Sequence, residues 1–214
     1  MALGKRRGGN FLPVIKFDAR VGTFYLQDRV FVDGSWQNEQ RDITSEFQAA
    51  FDLENLQRGW IRFPRGAPPE VTLVPAGEDP GDPPSDEHKE GIRLVLKMAK
   101  GLGGDVRELM STAIGLWSAV DALHDRYLAA AFEHPGELPV VTLDDVRGKK
   151  TAAGTTFVPI FKIVDWIPRP PDLAEAGATK AQLPLPLAKP TAGLVKRAPA
   201  TAPVDNSLDD DIPF

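Results

Sequence analysis

The sequence predicts a mainly β domain with α+β character: a small, partly open barrel of short strands with one long helix, followed by a C-terminal tail that does not fold. Three observations carry this. Apolar and polar residues alternate with a period of two in four separate stretches of the first hundred residues. One later stretch repeats its apolar residues at three and four instead. From Arg169 onward the composition shifts to Pro, Ala, Thr and Lys with neither period, and such a segment buries too little apolar area to offset the entropy of ordering it.

The elements follow in order. "LPVIKFDARV" sets Ile15, Phe17 and Ala19 on one face of a strand and Lys16, Asp18 and Arg20 on the other. After Gly22, "GTFYLQDRVFV" sets Phe24 and Leu26 opposite Tyr25 and Gln27, and "RVFVDGSWQNEQR" places Trp36 near a hairpin tip. A short helix over about 43–57 joins these strands to "GWIRFP", where Ile61 and Phe63 lie opposite Trp60 and Arg62. The Pro-rich acidic stretch "RGAPPEVTLVPAGEDPGDPPSDEHKEG" reads as a long loop with a short strand at 71–74. "GIRLVLKMA" sets Ile92, Leu94, Leu96 and Met98 opposite Arg93, Val95 and Lys97. The long helix runs from a cap at Asp105 to the stop at Pro135 and Gly136, with Val106, Leu109, Met110, Ala113, Trp117, Val120, Leu123 and Tyr127 as its apolar stripe. "DDVRGKKTAAG" is a basic, Gly-flanked loop, and "TTFVPIFKIVDWI", apolar at both parities, predicts a strand covered on both faces. About five strands with one helix suit an OB-fold-like domain over residues 1–168, with residues 169–214 as the disordered Pro/Ala-rich tail.

Composition removes several functions. The chain of 214 residues has no cysteine, which rules out disulfides, thiolate metal sites and cysteine nucleophiles, and fits a cytoplasmic setting. The three histidines, His88, His124 and His134, have no ligand spacing, so neither a metal nor another cofactor is expected. "MALGKRRGGN" is basic without a following apolar segment, and no stretch approaches a membrane span. "KGLGGD" lacks the spacing of a phosphate-cradling loop, and no Ser/His/Asp set or carboxylate spacing marks an active site. An enzyme is not expected. The net charge of −5 conceals its distribution, because acidic residues gather at 70–90 and at 205–214.

The polar faces of the strands supply the candidate site. Lys16, Arg20, Tyr25, Arg29, Trp60, Arg62, Arg93 and Lys97 interleave cations with aromatic rings; Trp36, Lys149 and Lys150 add loop positions. Cations that follow phosphates and rings that stack on bases are what single-stranded nucleic acid requires. The competing reading makes these an ordinary charged exterior, with Trp60 capping a small cluster under the acidic loop.

The chain ends in "DDDIPF", Asp209, Asp210, Asp211, Ile212, Pro213 and Phe214. This resembles the acidic tip of bacterial single-stranded DNA-binding proteins (SSBs). The resemblance implies a tip that docks on host genome-maintenance proteins, with Phe214 in an apolar pocket, its carboxylate on a basic residue and the aspartates on a basic ridge. "QLPLPL" at 182–187 resembles the bacterial sliding-clamp-binding hexapeptide through Gln182, Leu183, Leu185, Pro186 and Leu187, with Pro184 in place of the usual serine. These resemblances cover the tail alone. Together with the strand faces they lead to the expectation of a phage or prophage SSB. Such a protein would coat single-stranded DNA in replication or recombination in the cytoplasm of a bacterial host. Two alternatives stand: an adaptor or decoy without DNA affinity that mimics both peptides, and a DNA-processing nuclease with an SSB-like tail.

Overall fold

The structure, a computed structural model, describes residues 12–152 and 154–178. The expected QLPLPL and DDDIPF motifs lie outside the described residues. The domain is mainly β. Ten strands form one strongly curled half-barrel sheet in the order β10-β9-β4-β7-β8-β1-β2-β3, and β5 and β6 branch from β7. The strands are β1 Val14–Asp18, β2 Thr23–Val32, β3 Ser35–Asp42, β4 Gln48–Phe51, β5 Gln57–Arg62, β6 Glu70–Pro75, β7 Lys89–Met98, β8 Val106–Ser111, β9 Glu137–Thr151 and β10 Gly154–Pro168. Helix α1 spans Ile114–Ala130 and α2 spans Pro171–Ala178. Among the described residues no helix is long and apolar enough to cross a membrane.

The inner face of the curl holds the core. Ile15, Phe17, Phe24, Leu26, Leu94, Leu96 and Leu109 line it, and α1 packs Leu116, Val120, Leu123 and Tyr127 against them. Phe17, Phe24, Phe47, Phe51 and Phe161 form a chain of ring contacts with centroids 4.6–6.0 Å apart. The two sides of the curl approach where the β1–β2 turn meets β10: Phe157 N–H donates to Ala19 O at 2.7 Å, and Thr156 Oγ1 donates to the same oxygen at 3.3 Å. Gly22 makes this approach possible. Its φ is +75°, and a Cβ there would lie 2.7 Å from Val146 Cγ1.

Four expectations are corrected. The long helix begins at Ile114 instead of Asp105, because Val106–Ser111 is strand β8, inserted between β7 and β1. Val106, Leu109 and Met110 meet helical spacing by coincidence, and Asp105 accepts a hydrogen bond from Arg107 Nε at 3.2 Å where a cap was expected. The helix over 43–57 is two 3-10 turns, Thr44–Glu46 and Leu53–Asn55, around the short strand β4, whose Ala49 and Phe51 reach the core. Strand β10 pairs only with β9, so it is an edge strand with Lys162 and Val164 exposed, where cover on both faces was expected. The fold also passes Pro168. Leu173 of α2 is fully buried with Ala50, Val95 and Leu138 on the outer face of the sheet, and Arg169 Nη1 lies 2.9 Å from the buried carboxylate of Asp52.

Candidate nucleic-acid interface

Strand register decides which candidate residues share a surface. Arg93 lies opposite Met110, Glu108 opposite Val14, Lys16 opposite Tyr25, Arg29 opposite Asn38 and Phe31 opposite Trp36. Facing residues on paired strands point to the same side, and the period of two carries that side along each strand. Lys16, Tyr25, Arg29, Trp36, Arg93 and Lys97 therefore share the outer face. Trp60 and Arg62 do not: Arg58, opposite Ile92 of the inner face, fixes the parity of β5, and both residues follow it to the other side. The single continuous face expected from the sequence is divided.

Beyond the barrel, β2 and β3 continue as a hairpin arm. Its turn is Asp33-Gly34 with φ of 50° and 81°, the backbone of a two-residue turn whose twist matches that of the strands. Every residue of β3 is exposed. On the arm's outer-face side, Phe31 and Trp36 meet edge to face with centroids 5.3 Å apart, and the Arg29 guanidinium lies 5.9 Å from the Trp36 ring centre. Phe31 is 60% exposed and Trp36 64%. An edge-to-face pair contributes about 0.5–1.5 kcal/mol beyond its area burial, too little to account for two large rings held in water. Phe31 was not among the sequence candidates. The signal was present: once Asp33-Gly34 is read as a two-residue turn, Phe31 must face Trp36.

A second group of cations lies on one rim. Lys149 and Lys150 stand exposed on the β9–β10 hairpin, opposite Thr156 and Thr155. Arg20, also exposed, belongs to the β1–β2 turn that touches β10 at Phe157. Nearby Arg147 hydrogen-bonds Asp145 at 3.1 Å and holds that carboxyl below its ordinary pKa, aided by the Val146 N–H. Lys16, Arg20, Arg29, Lys149 and Lys150 form no ion pair among the described residues.

Four other candidates, Arg62, Arg93, Lys97 and Trp60, are engaged within the protein. Arg93 is buried, with Nε 2.5 Å from Glu108 Oε1 and Nη1 donating to Gln57 Oε1 at 2.6 Å, so it is not an exterior cation. Lys97 is half-buried and paired with Asp172 of α2. Arg62 lies 3.0 Å from Glu70 and 2.5 Å from Glu87, and the hydrogen bond it donates to Glu70 is the main cause of its raised pKa. Trp60 is half-buried, and its Nε1–H donates to Gly81 O at 2.9 Å, which places the acidic loop over it as the packing reading of that residue supposed. Among the described residues no group of three or more acidic or histidine side chains is placed to hold a metal ion.

The arm and the rim can attract a phosphate backbone and offer rings to unstacked bases. Comparison with known proteins adds nothing to this geometry: no family model, no curated protein and no solved structure matches the chain.

Proposed function

We propose that this chain is a single-stranded DNA-binding protein of phage or prophage type, with an OB-fold-like barrel as its binding domain and a tail that recruits host proteins. The observation that carries the reading is the exposed Phe31–Trp36 pair with Arg29 beside it, held on an arm clear of the core. Base stacking on such rings is worth about 1–3 kcal/mol per base and tolerates any sequence, while the unpaired cations Lys16, Arg20, Lys149 and Lys150 supply a screened attraction to phosphate. In this reading the protein works in replication or recombination in the cytoplasm of a bacterial host. The DDDIPF end engages genome-maintenance proteins and QLPLPL engages the sliding clamp; both assignments rest on sequence resemblance.

Titration of the full chain with oligothymidylate at two salt concentrations, followed by tryptophan fluorescence, tests the binding. Quenching that weakens steeply with salt is expected. The adaptor reading draws support from one observation: Arg62, Arg93 and Lys97 are all committed to carboxylates. If the full chain fails to bind oligothymidylate at low salt, the adaptor reading replaces the one proposed.

A further inference from the structure

The outer face carries a second feature at the side opposite the arm. Where β5 ends, a cleft of about 420 Å³ opens, lined in part by Ile61, Arg62, Phe63, Arg65, Glu87 and Lys89. Ile61 pairs with Lys89, four residues along from the pairing of Gln57 with Arg93, so the floor of the cleft belongs to the same face as Lys16 and Tyr25, while Arg62, of the opposite parity, borders the cleft only where β5 ends. From β5 the face crosses β7, β8, β1 and β2 to reach β3, five strand spacings or roughly 24 Å across the strands, and the register sets the Phe31–Trp36 pair about ten residues, or roughly 33 Å, further along them.

The chemistry of the cleft is specific. Arg65 and Lys89 form no ion pair among the described residues, Phe63 is 52% exposed, and Ile61 gives an apolar floor. Glu87 stands among these cations with its carboxylate on Arg62. Two uncommitted cations next to an exposed ring match a phosphate with its adjoining base. A lone carboxylate ligand would leave the ring unused, and an apolar ligand would leave the cations unused.

We infer that this cleft is a second nucleotide subsite for the same strand, in which Arg65 and Lys89 hold a phosphate, Phe63 stacks a base, and Glu87 occupies Arg62 until phosphate displaces it. The inference rests on the single-strand reading above. Glu87 acts as a built-in competitor. It lowers affinity at low salt and matters less as salt screens both the carboxylate and the phosphate.

The experiment compares oligothymidylates of about 4 and about 16 nucleotides, the two ends of the range of site sizes for one OB-fold, by fluorescence anisotropy with the full chain. The short strand can occupy the arm alone, and the long one can reach both sites. Arg65→Ala with Lys89→Ala should reduce the log–log salt slope for the long strand by about 1.4, two phosphate contacts at about 0.7 each. It should weaken that strand about tenfold and leave the short one within about twofold. Phe63→Ala should weaken only the long strand, and Glu87→Gln should tighten it several-fold at low salt. All four positions have solvent-facing side chains, and unchanged thermal unfolding of each variant establishes that it is folded. If long-strand affinity and slope are unchanged in the double variant while Trp36→Ala still weakens both strands, the cleft is not a subsite and the single-strand reading survives. If thymidine monophosphate protects Lys89 from acylation as fully as the long strand does, the cleft belongs to a free nucleotide and the inference is overturned. If neither strand binds the wild type at low salt, both readings fail together.

Discussion

Phe31 and Trp36 meet edge to face across the β2–β3 arm, ring centroids 5.3 Å apart, and each ring stays more than half exposed. The pair contributes little to the core, so its loss should be felt in binding and hardly in folding. Trp36→Ala and Phe31→Ala should each weaken oligothymidylate binding by about 1–3 kcal/mol. Stability should change by no more than about 0.5 kcal/mol, the usual range for exposed positions. Denaturant unfolding and anisotropy on the same samples check both halves. Loss of stability with unchanged binding would mean that the arm packs against something else.

Cations that look alike in the sequence should behave in two ways. Lys16 and Arg29 are unpaired on the outer face, and Ala at either should flatten the log–log salt slope by about 0.7. Arg93 is buried against Glu108. Arg93→Ala removes one member of a buried ion pair, which costs about 3–5 kcal/mol, and should leave the salt slope of the remaining folded protein unchanged. A flattened slope in Arg93→Ala at wild-type stability would return this residue to the interface.

One misassigned strand explains much of what the sequence did not reveal. The alternation in β1 and β2 is legible because each sets one face on the core and a largely polar one opposite, and β7 shows it too although its outer face also buries Val95. Alternation marks Arg93 as polar and says nothing of what stands opposite. Glu108, its partner, comes from β8, whose Val106, Leu109 and Met110 satisfy a helical period and so read as part of the helix. With that stretch read as helix, Arg93 has no visible partner in the sequence and reads as an exterior cation. Arg107 was hidden in the same way: it is buried and reaches Asp28 of β2 at 2.8 Å, 79 residues away in sequence. The split between Trp60 and Tyr25 was likewise invisible, because a single strand reveals its two faces but not which of them joins a neighbour's. Trp36 was legible because Asp33-Gly34 announces its turn locally.

The tail peptides should act independently of the DNA face. Gln182→Ala with Leu185→Ala should abolish capture of a bacterial sliding clamp, and Phe214→Ala should abolish capture of proteins that bind SSB tips, since a buried aromatic anchor carries most of the energy of such small contacts. Each variant should keep the wild-type affinity for oligothymidylate. Pull-down with purified clamp, using wild type and variants, decides the first. If the wild type captures no clamp, QLPLPL is only linker.

Arg169 and Asp52 set where the domain ends. Asp52 is fully buried and accepts from Asn55 Nδ2 at 3.0–3.1 Å, while Arg169 Nη1 lies 2.9 Å from it and also pairs with Glu54. Burial works against the charge on Arg169. The hydrogen bond and charge of Asp52, with those of Glu54, outweigh this and hold its pKa above the ordinary value. A chain cut after Pro168 leaves the Asp52 carboxylate buried without its cation and strips Leu173 from Ala50, Val95 and Leu138. The first loss costs about 3–5 kcal/mol, and the second about 1.5–3 kcal/mol for a fully buried leucine. Against a typical total of about 5–15 kcal/mol, residues 12–168 alone should be barely folded at room temperature, and residues 12–178 should unfold cooperatively. Arg169→Ala in the longer chain should reproduce the first loss alone, and Leu173→Ala should cost about 2–5 kcal/mol. Urea unfolding of the four proteins measures these differences. Equal midpoints for the chains ending at 168 and 178 would show that α2 and its arginine contribute nothing to the fold.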